Sequence, residues 1–235
     1  MLTAVSLVSP VLWLKNLPSL NPGFLNFLTE RDIMKTTIQV STLKAAICAA
    51  SEKDLRSYLI GVHFHFLHSP ERGPRLHIVA TDGAMLFAAR EQLEYLEGAQ
   101  TADFSFTLPL AAVKTAVKTK ASTITLESLP DGRYLLGDTI TAPLEGKFPD
   151  YLRVIPKSDA KPSDKPLQFD ADLLARAQTA LRCYYGTKNG FYRLSHLDGI
   201  ATMHAGANDV VVVIMPLRDS AYAGHNSDNY QGFMA

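Results

Sequence analysis

KTTIQVSTLKAAICAASEK, residues 35–53, changes its hydrophobic period partway along. Residues 35–40 alternate like a strand. TLKAAICAASEK (42–53) then sets Leu43, Ile47 and Ala50 on one side of a helix, with Ser41 as the expected N-cap. The plan returns at FSFTL (104–108), where Pro109 opens the helix LAAVKTAVKTK (110–120) in a first turn that does not need its missing N–H. It returns a third time at LQF (167–169), with Asp170 as cap and ADLLARAQTALRCYY (171–185) as helix.

Behind each helix the chain alternates again and breaks at turn residues. The first helix is followed by GVHFHFLH (61–68), RLHIVATDG (75–83) and AMLFAARE (84–91). The second is followed by STITLES (122–128), RYLLGD (133–138) and TITAPLEG (139–146), and the third by FYRLSHLDG (191–199), IATMHA (200–205) and DVVVVIMPLR (209–218). Asp82-Gly83, Asp131-Gly132 and Asp198-Gly199 are the tight-turn pairs. The repeated unit is one strand, one helix and three strands. It predicts an α+β fold with antiparallel sheet on one side and helices on the other.

A chain of 235 residues, 47% apolar and 20% charged, can bury a real core in one large or two smaller domains. Lys plus Arg equals Asp plus Glu at 23 each, so total charge does not mark a binder of nucleic acid or of membrane surface, although a balanced sum can hide a basic face. Cys48 and Cys183 lie in separate helical segments with no metal-ligand spacing, which suits buried thiols in a reducing cytoplasm. Residues 1–33 are apolar but broken by Pro10, Pro18 and Pro22, with no early positive cluster, and fit neither a signal peptide nor a membrane span. Either Met34 is the true start or the leader is an extra docking arm.

KFPDYLRVIP (147–156) is too apolar for a linker and too rich in proline for a central strand. Together with KDLRSYLIGVHFHF (53–66), HIVATDGAMLF (77–87) and VVIMPLR (212–218), in this order and spacing, it resembles the bacterial DNA polymerase III beta subunit, the sliding clamp. The resemblance covers residues 34 to about 218. It implies a complete clamp-like domain of two units (34–156) and a shortened half domain of one unit (157–218), after a leader (1–33) and before a mobile tail (219–235), with antiparallel sheets outside and helices inside.

In that family the FPDYxRVxP segment joins two domains and helps to line an apolar groove for short peptides of polymerases and other replication proteins. The groove residues carried over by motif are Leu59, Thr81, Gly83, Met85, Leu86, Pro149, Val154, Val213, Met215, Pro216 and Leu217. Taken singly, each is an ordinary core residue. Ala84 and Met85 stand where the family has His and Arg, which suggests an altered partner preference.

The resemblance also implies sequence-independent contact with double-stranded DNA through cations on the helices and on the loop after the first helix. These are Lys44, Lys53, Arg56, Tyr58, Lys114, Lys118, Lys120, Arg176 and Arg182, with Lys114 and Lys118 on one helix face and Ser57 where an aromatic is often found. A family ring holds twelve such units. Three units per chain therefore imply a homo-oligomer, a tetramer if it closes, placed on DNA by a clamp loader. The function so implied is a cytoplasmic replication processivity factor that recruits polymerase or repair proteins. The alternative is a clamp-derived peptide-binding adaptor or decoy that does not encircle DNA.

Enzyme readings find little support in the sequence. No GxxxxGK[ST], HExxH or GxSxG occurs, and no cofactor or metal is implied. His63, His65 and His77 could share one sheet face, but no cysteine or carboxylate completes a metal set, so they are expected to face solvent. Asp82 reads as a turn residue rather than as a catalytic acid. In the tail, the resemblance would make Gln231, Phe233 and Met234 an imitation of the glutamine-plus-apolar peptides that clamps receive, occupying the groove of the same or a neighbouring chain, although so short a motif also arises easily by accident.

Overall fold

A computed structural model describes residues 34–69, 71, 73–93, 103–157, 159–162, 168–188, 192–197, 200–204 and 209–217. The leader, the tail with Gln231, Phe233 and Met234, and the Asp198-Gly199 pair lie outside the described residues.

The first unit runs β1 (Lys35–Gln39), α1 (Val40–Ala49), β2 (Gly61–Ser69), β3 (Gly73–Thr81) and β4 (Met85–Gln92). The second runs β5 (Phe104–Pro109), α2 (Leu110–Ala116), β6 (Thr123–Ser128), β7 (Tyr134–Leu136) and β8 (Thr139–Thr141). The third supplies α3 (Ala171–Tyr185), β9 (Arg193–Leu197), β10 (Ile200–His204) and β11 (Val210–Ile214). Strand-helix-three-strand order therefore holds in the first two units, and the third shows a helix and three strands among the described residues.

The pairing adds an exchange of leading strands. β1 leaves its own unit to pair with β6 in a four-stranded sheet ordered β1-β6-β7-β8, while β5 pairs with β2. The second sheet has seven strands, β5-β2-β3-β4-β11-β10-β9. Its middle is the antiparallel seam between β4 and β11, with Ala89 opposite Val210 and Met85 opposite Ile214. All ladders among the described residues are antiparallel.

Both faces of the long sheet are covered. Phe64, Ile78, Phe87 and Val212 pack under the helices with Leu43, Val113 and Leu181, whereas Val79, Leu86, Ala88 and Val213 meet Phe148 and Tyr151 on the other face. Covering on both faces is why β3, β4 and β11 read as nearly continuous apolar runs.

Three sequence expectations shift. α1 starts at Val40, with no side-chain cap at Gln39, and Ser41 lies inside the helix. Its first amides find tertiary partners instead: Val40 N–H donates to the Ser122 carbonyl (2.8 Å), and Gln39 N–H to the Glu91 carboxylate (3.3 Å), which also accepts from the Thr42 hydroxyl. α2 ends at Ala116, so Lys118 and Lys120 lie beyond it; Thr115, Val117 and Thr119 are β-branched and weak helix formers. Gln168 and Phe169 carry no strand. Among the described residues before α3, Pro162 forms an isolated antiparallel bridge with Leu197 of β9.

α3 follows its signals to the residue, with Asp170 accepting from Asp172 N–H (2.8 Å) and Gly186 in the left-handed region at φ 64°. It packs along α1. Cys48 and Cys183 are free and half-buried there, and burial pushes the Cys48 thiol up to about 11, helped by Cys183.

Candidate functional site: an apolar cleft on the outer sheet face

Four distant segments meet where the β4–β11 seam opens. The β3–β4 turn is set by Thr81 and Asp82: Asp82 Oδ1 accepts from Ala84 N–H (2.9 Å) and Met85 N–H (2.8 Å), and Thr81 Oγ1 donates to the Met85 carbonyl (2.7 Å). Gly83 takes φ 93°, which a residue with a Cβ rarely adopts. Leu59 arrives on a short turn, Ser57–Leu59, and the chain then enters β2 at Gly61, where an added Cβ would lie 2.6 Å from the Leu108 carbonyl oxygen.

The result is a cleft of about 340 Å³ lined by Leu59, Thr81, Gly83, Met85, Leu86, Pro149, Val154, Val213, Met215 and Pro216. Ten of the eleven residues named from sequence thus line one depression. Leu217 is not among them; its N–H donates to the Gln168 carbonyl (2.8 Å), so its backbone anchors the strand's exit. The floor is buried, with Leu59 1% exposed, while the rim is open, with Met215 57% and Val154 36% exposed. The cleft thus sets exposed apolar side chains over a buried apolar floor.

Sequence reasoning missed Phe148, Tyr151, Asp150, Ile200, Ile214 and Arg56 as lining residues. Phe148 and Tyr151 were in plain sight within the quoted proline-rich stretch. Ile200 carries no sequence signal, because only strand pairing brings it to the seam. Arg56, expected on the DNA-touching loop, also lines the cleft and is paired with Asp54 (2.9 Å).

The histidines correct another expectation, because the linker covers them. His63 is 7% exposed, its ring stacked on Phe148 with centroids 4.3 Å apart, and its Nδ1 is 3.0 Å from Thr107 Oγ1. Tyr151 Oη lies 3.0 Å from His65 Nδ1 and 2.8 Å from His77 Nδ1. Burial drives the His63 and His77 pKa values down to about 4 and lowers that of His65. Among the described residues no group of three or more His, Cys, Asp or Glu side chains is placed to hold a metal.

The basic residues divide into two sets. Lys44, on an otherwise buried α1, and Lys53, Lys118 and Lys120 are exposed. The others are engaged within the chain: Lys114 with Glu52 (2.5 Å), Arg176 with Asp82 (2.7 Å) and the Cys48 carbonyl (3.0 Å), and Arg182 with the Lys188 carbonyl. Asp82 is therefore a structural residue, ordering the turn with one oxygen and α3 with the other. Tyr58 is half-buried against Gly146.

Exchanged leading strands, helices on one face of antiparallel sheets and a cleft at the sheet seam define the sliding-clamp fold. In sequence the chain is similar to the beta sliding clamp of Caulobacter vibrioides (strain NA1000 / CB15N), 28% identical over 183 residues, covering 75% of this chain and 47% of that protein. It thus spans about half the length of the curated relatives it matches. Among solved structures it resembles the Helicobacter pylori beta clamp bound to a DNA ligase peptide (TM-score 0.61, 13% identity, 81% of this chain and 67% of that one). It likewise resembles the Pseudomonas aeruginosa clamp bound to griselimycin (TM-score 0.54, 17% identity, 78% and 65%). No protein-family model matches the chain.

Proposed function

We propose that this chain is a shortened, non-catalytic, cytoplasmic clamp that recruits polymerase or repair proteins to DNA by docking their short peptides in the cleft between Leu59, Met85, Val154 and Met215. The observation that carries this reading is the convergence of ten motif residues from four segments on one apolar depression. Apolar anchors buried there would gain roughly 25 cal/mol per Å², and Met85 and Met215 suit varied sequences. We read residues 34–156 as a complete clamp-like domain and 157–218 as a half domain, so that four copies, placed by a loader, would make up the twelve units of a closed ring around duplex DNA.

Griselimycin, bound by the P. aeruginosa clamp, is a ready probe. Calorimetry is expected to show one site per chain, and Met215→Asp, at an exposed rim position, is expected to weaken it at least tenfold without loss of fold. Absent binding, or binding indifferent to Met215→Asp, overturns the reading.

The second reading, an adaptor that never encircles DNA, draws on the internal engagement of Lys114, Arg56, Arg176 and Arg182. The two part on nicked circular DNA with loader present. A closed ring is retained on circles and lost on linearisation, whereas an adaptor is retained on neither.

A further inference from the structure

Pro149, Asp150, Leu152, Arg153 and Val154, which make or flank the outer wall of the cleft, are all exposed. Phe148 and Tyr151, at 6% and 5% exposure, fasten this wall to the sheet, with half-buried Ile155 packed beside them. Tyr151 is held by its hydroxyl between His65 and His77, which sit directly opposite one another in the β2–β3 ladder. A phenol has one proton, so it donates to one ring and accepts N–H from the other. The two imidazoles therefore carry opposite tautomers, and the three side chains form a directional chain.

Burial is the main reason these side chains stay neutral: His65, Arg90 and Arg75 add to it at His77, His65 adds to it at His63, Asp103 works against it at His65, and Asp150 joins burial in holding the Tyr151 proton. A proton on the accepting ring would remove its Nδ1 lone pair and leave the phenol O–H without an acceptor.

We propose that His65, Tyr151 and His77 form a latch that positions the outer wall of the cleft, so that a docked peptide's fit against Pro149 and Val154 depends on hydrogen bonds made behind the linker. The proposal rests on the peptide-docking reading. With the hydroxyl gone, the wall keeps its apolar contacts through Phe148, the Tyr151 ring and Ile155 but loses the hydrogen bonds that fix its position.

The test is a double-mutant cycle with griselimycin binding to the full chain. Tyr151→Phe and His77→Leu are each expected to weaken binding roughly three- to tenfold, the cost of about one hydrogen bond. His77→Asn, which keeps a polar atom near the Nδ1 position, is expected to retain binding. The double variant Tyr151→Phe/His77→Leu is expected to be no weaker than either single one, since both break the same chain. Nitrogen-15 spectra are expected to show one of the two rings protonated at Nδ1 and the other at Nε2, with the pattern lost in Tyr151→Phe. Unchanged affinities, or additive losses in the double variant, overturn the latch. If wild type does not bind griselimycin, the docking reading fails, and amide exchange of residues 150–156 decides the latch: faster in Tyr151→Phe supports it, and equal rates overturn it.

Discussion

Acid should loosen this fold well before its carboxylates titrate. His63 and His77 have folded pKa values of about 4 against 6.5 in the unfolded chain, because burial disfavours their charged forms. Below 6.5 the unfolded chain takes up protons that the folded chain refuses, so stability is complete above that pH and falls as pH drops, levelling off near 4. At pH 5 His63 lies about 1.5 pH units below 6.5, which at about 1.4 kcal/mol per unit is about 2 kcal/mol. His77 is partly open to screening water and adds about 1 kcal/mol. The pair thus removes about 3 kcal/mol, and His65 adds in the same direction. Glu91 opposes them, since burial raises its pKa and the folded state gains as it protonates. With a urea slope of about 2 kcal/mol per molar, the midpoint should fall by about 1.5 M between pH 7.5 and pH 5. Urea unfolding followed by circular dichroism reads this directly, and His63→Phe should remove more than half of the pH dependence. A midpoint that is the same at both pH values refutes the account of a covered histidine face.

Gly61→Ala should destabilise the chain by more than about 2 kcal/mol, because the new Cβ meets the backbone oxygen of Leu108 at 2.6 Å; thermal unfolding checks it. On the proposed clamp reading, replacing Lys44, Lys53, Lys118 and Lys120 together with alanine should flatten the salt dependence of DNA binding by up to about 0.9 in slope per lost contact while leaving the melting temperature nearly unchanged. Arg176→Ala should instead cost stability, about 2 kcal/mol, by freeing both Asp82 and the Cys48 carbonyl.

What could be read from sequence and what could not divides according to where the deciding partner lies. α3 was legible to both ends because Asp170 and Gly186 act within a turn of the helix they terminate. α1 was misplaced by two residues at its start because the partners of its opening turn, the Ser122 carbonyl and the Glu91 carboxylate, come from distant parts of the chain rather than from a neighbouring side chain. The exchange of β1 and β5 left no local trace for the same reason: a strand's alternation says that it pairs, never with which strand. The cleft residues escaped this limit only because four motifs occurred jointly. The histidines show the limit most clearly. Val62, Phe64 and Phe66 alternate with His63 and His65, a pattern that fits a half-wet sheet, whereas 147–156 is an apolar segment with no core of its own. Each signal is ambiguous alone, but they are complementary: a polar strand face that needs no water and an apolar linker that needs a surface account for one another, and Phe148 on His63 with Tyr151 between His65 and His77 is the contact that joins them.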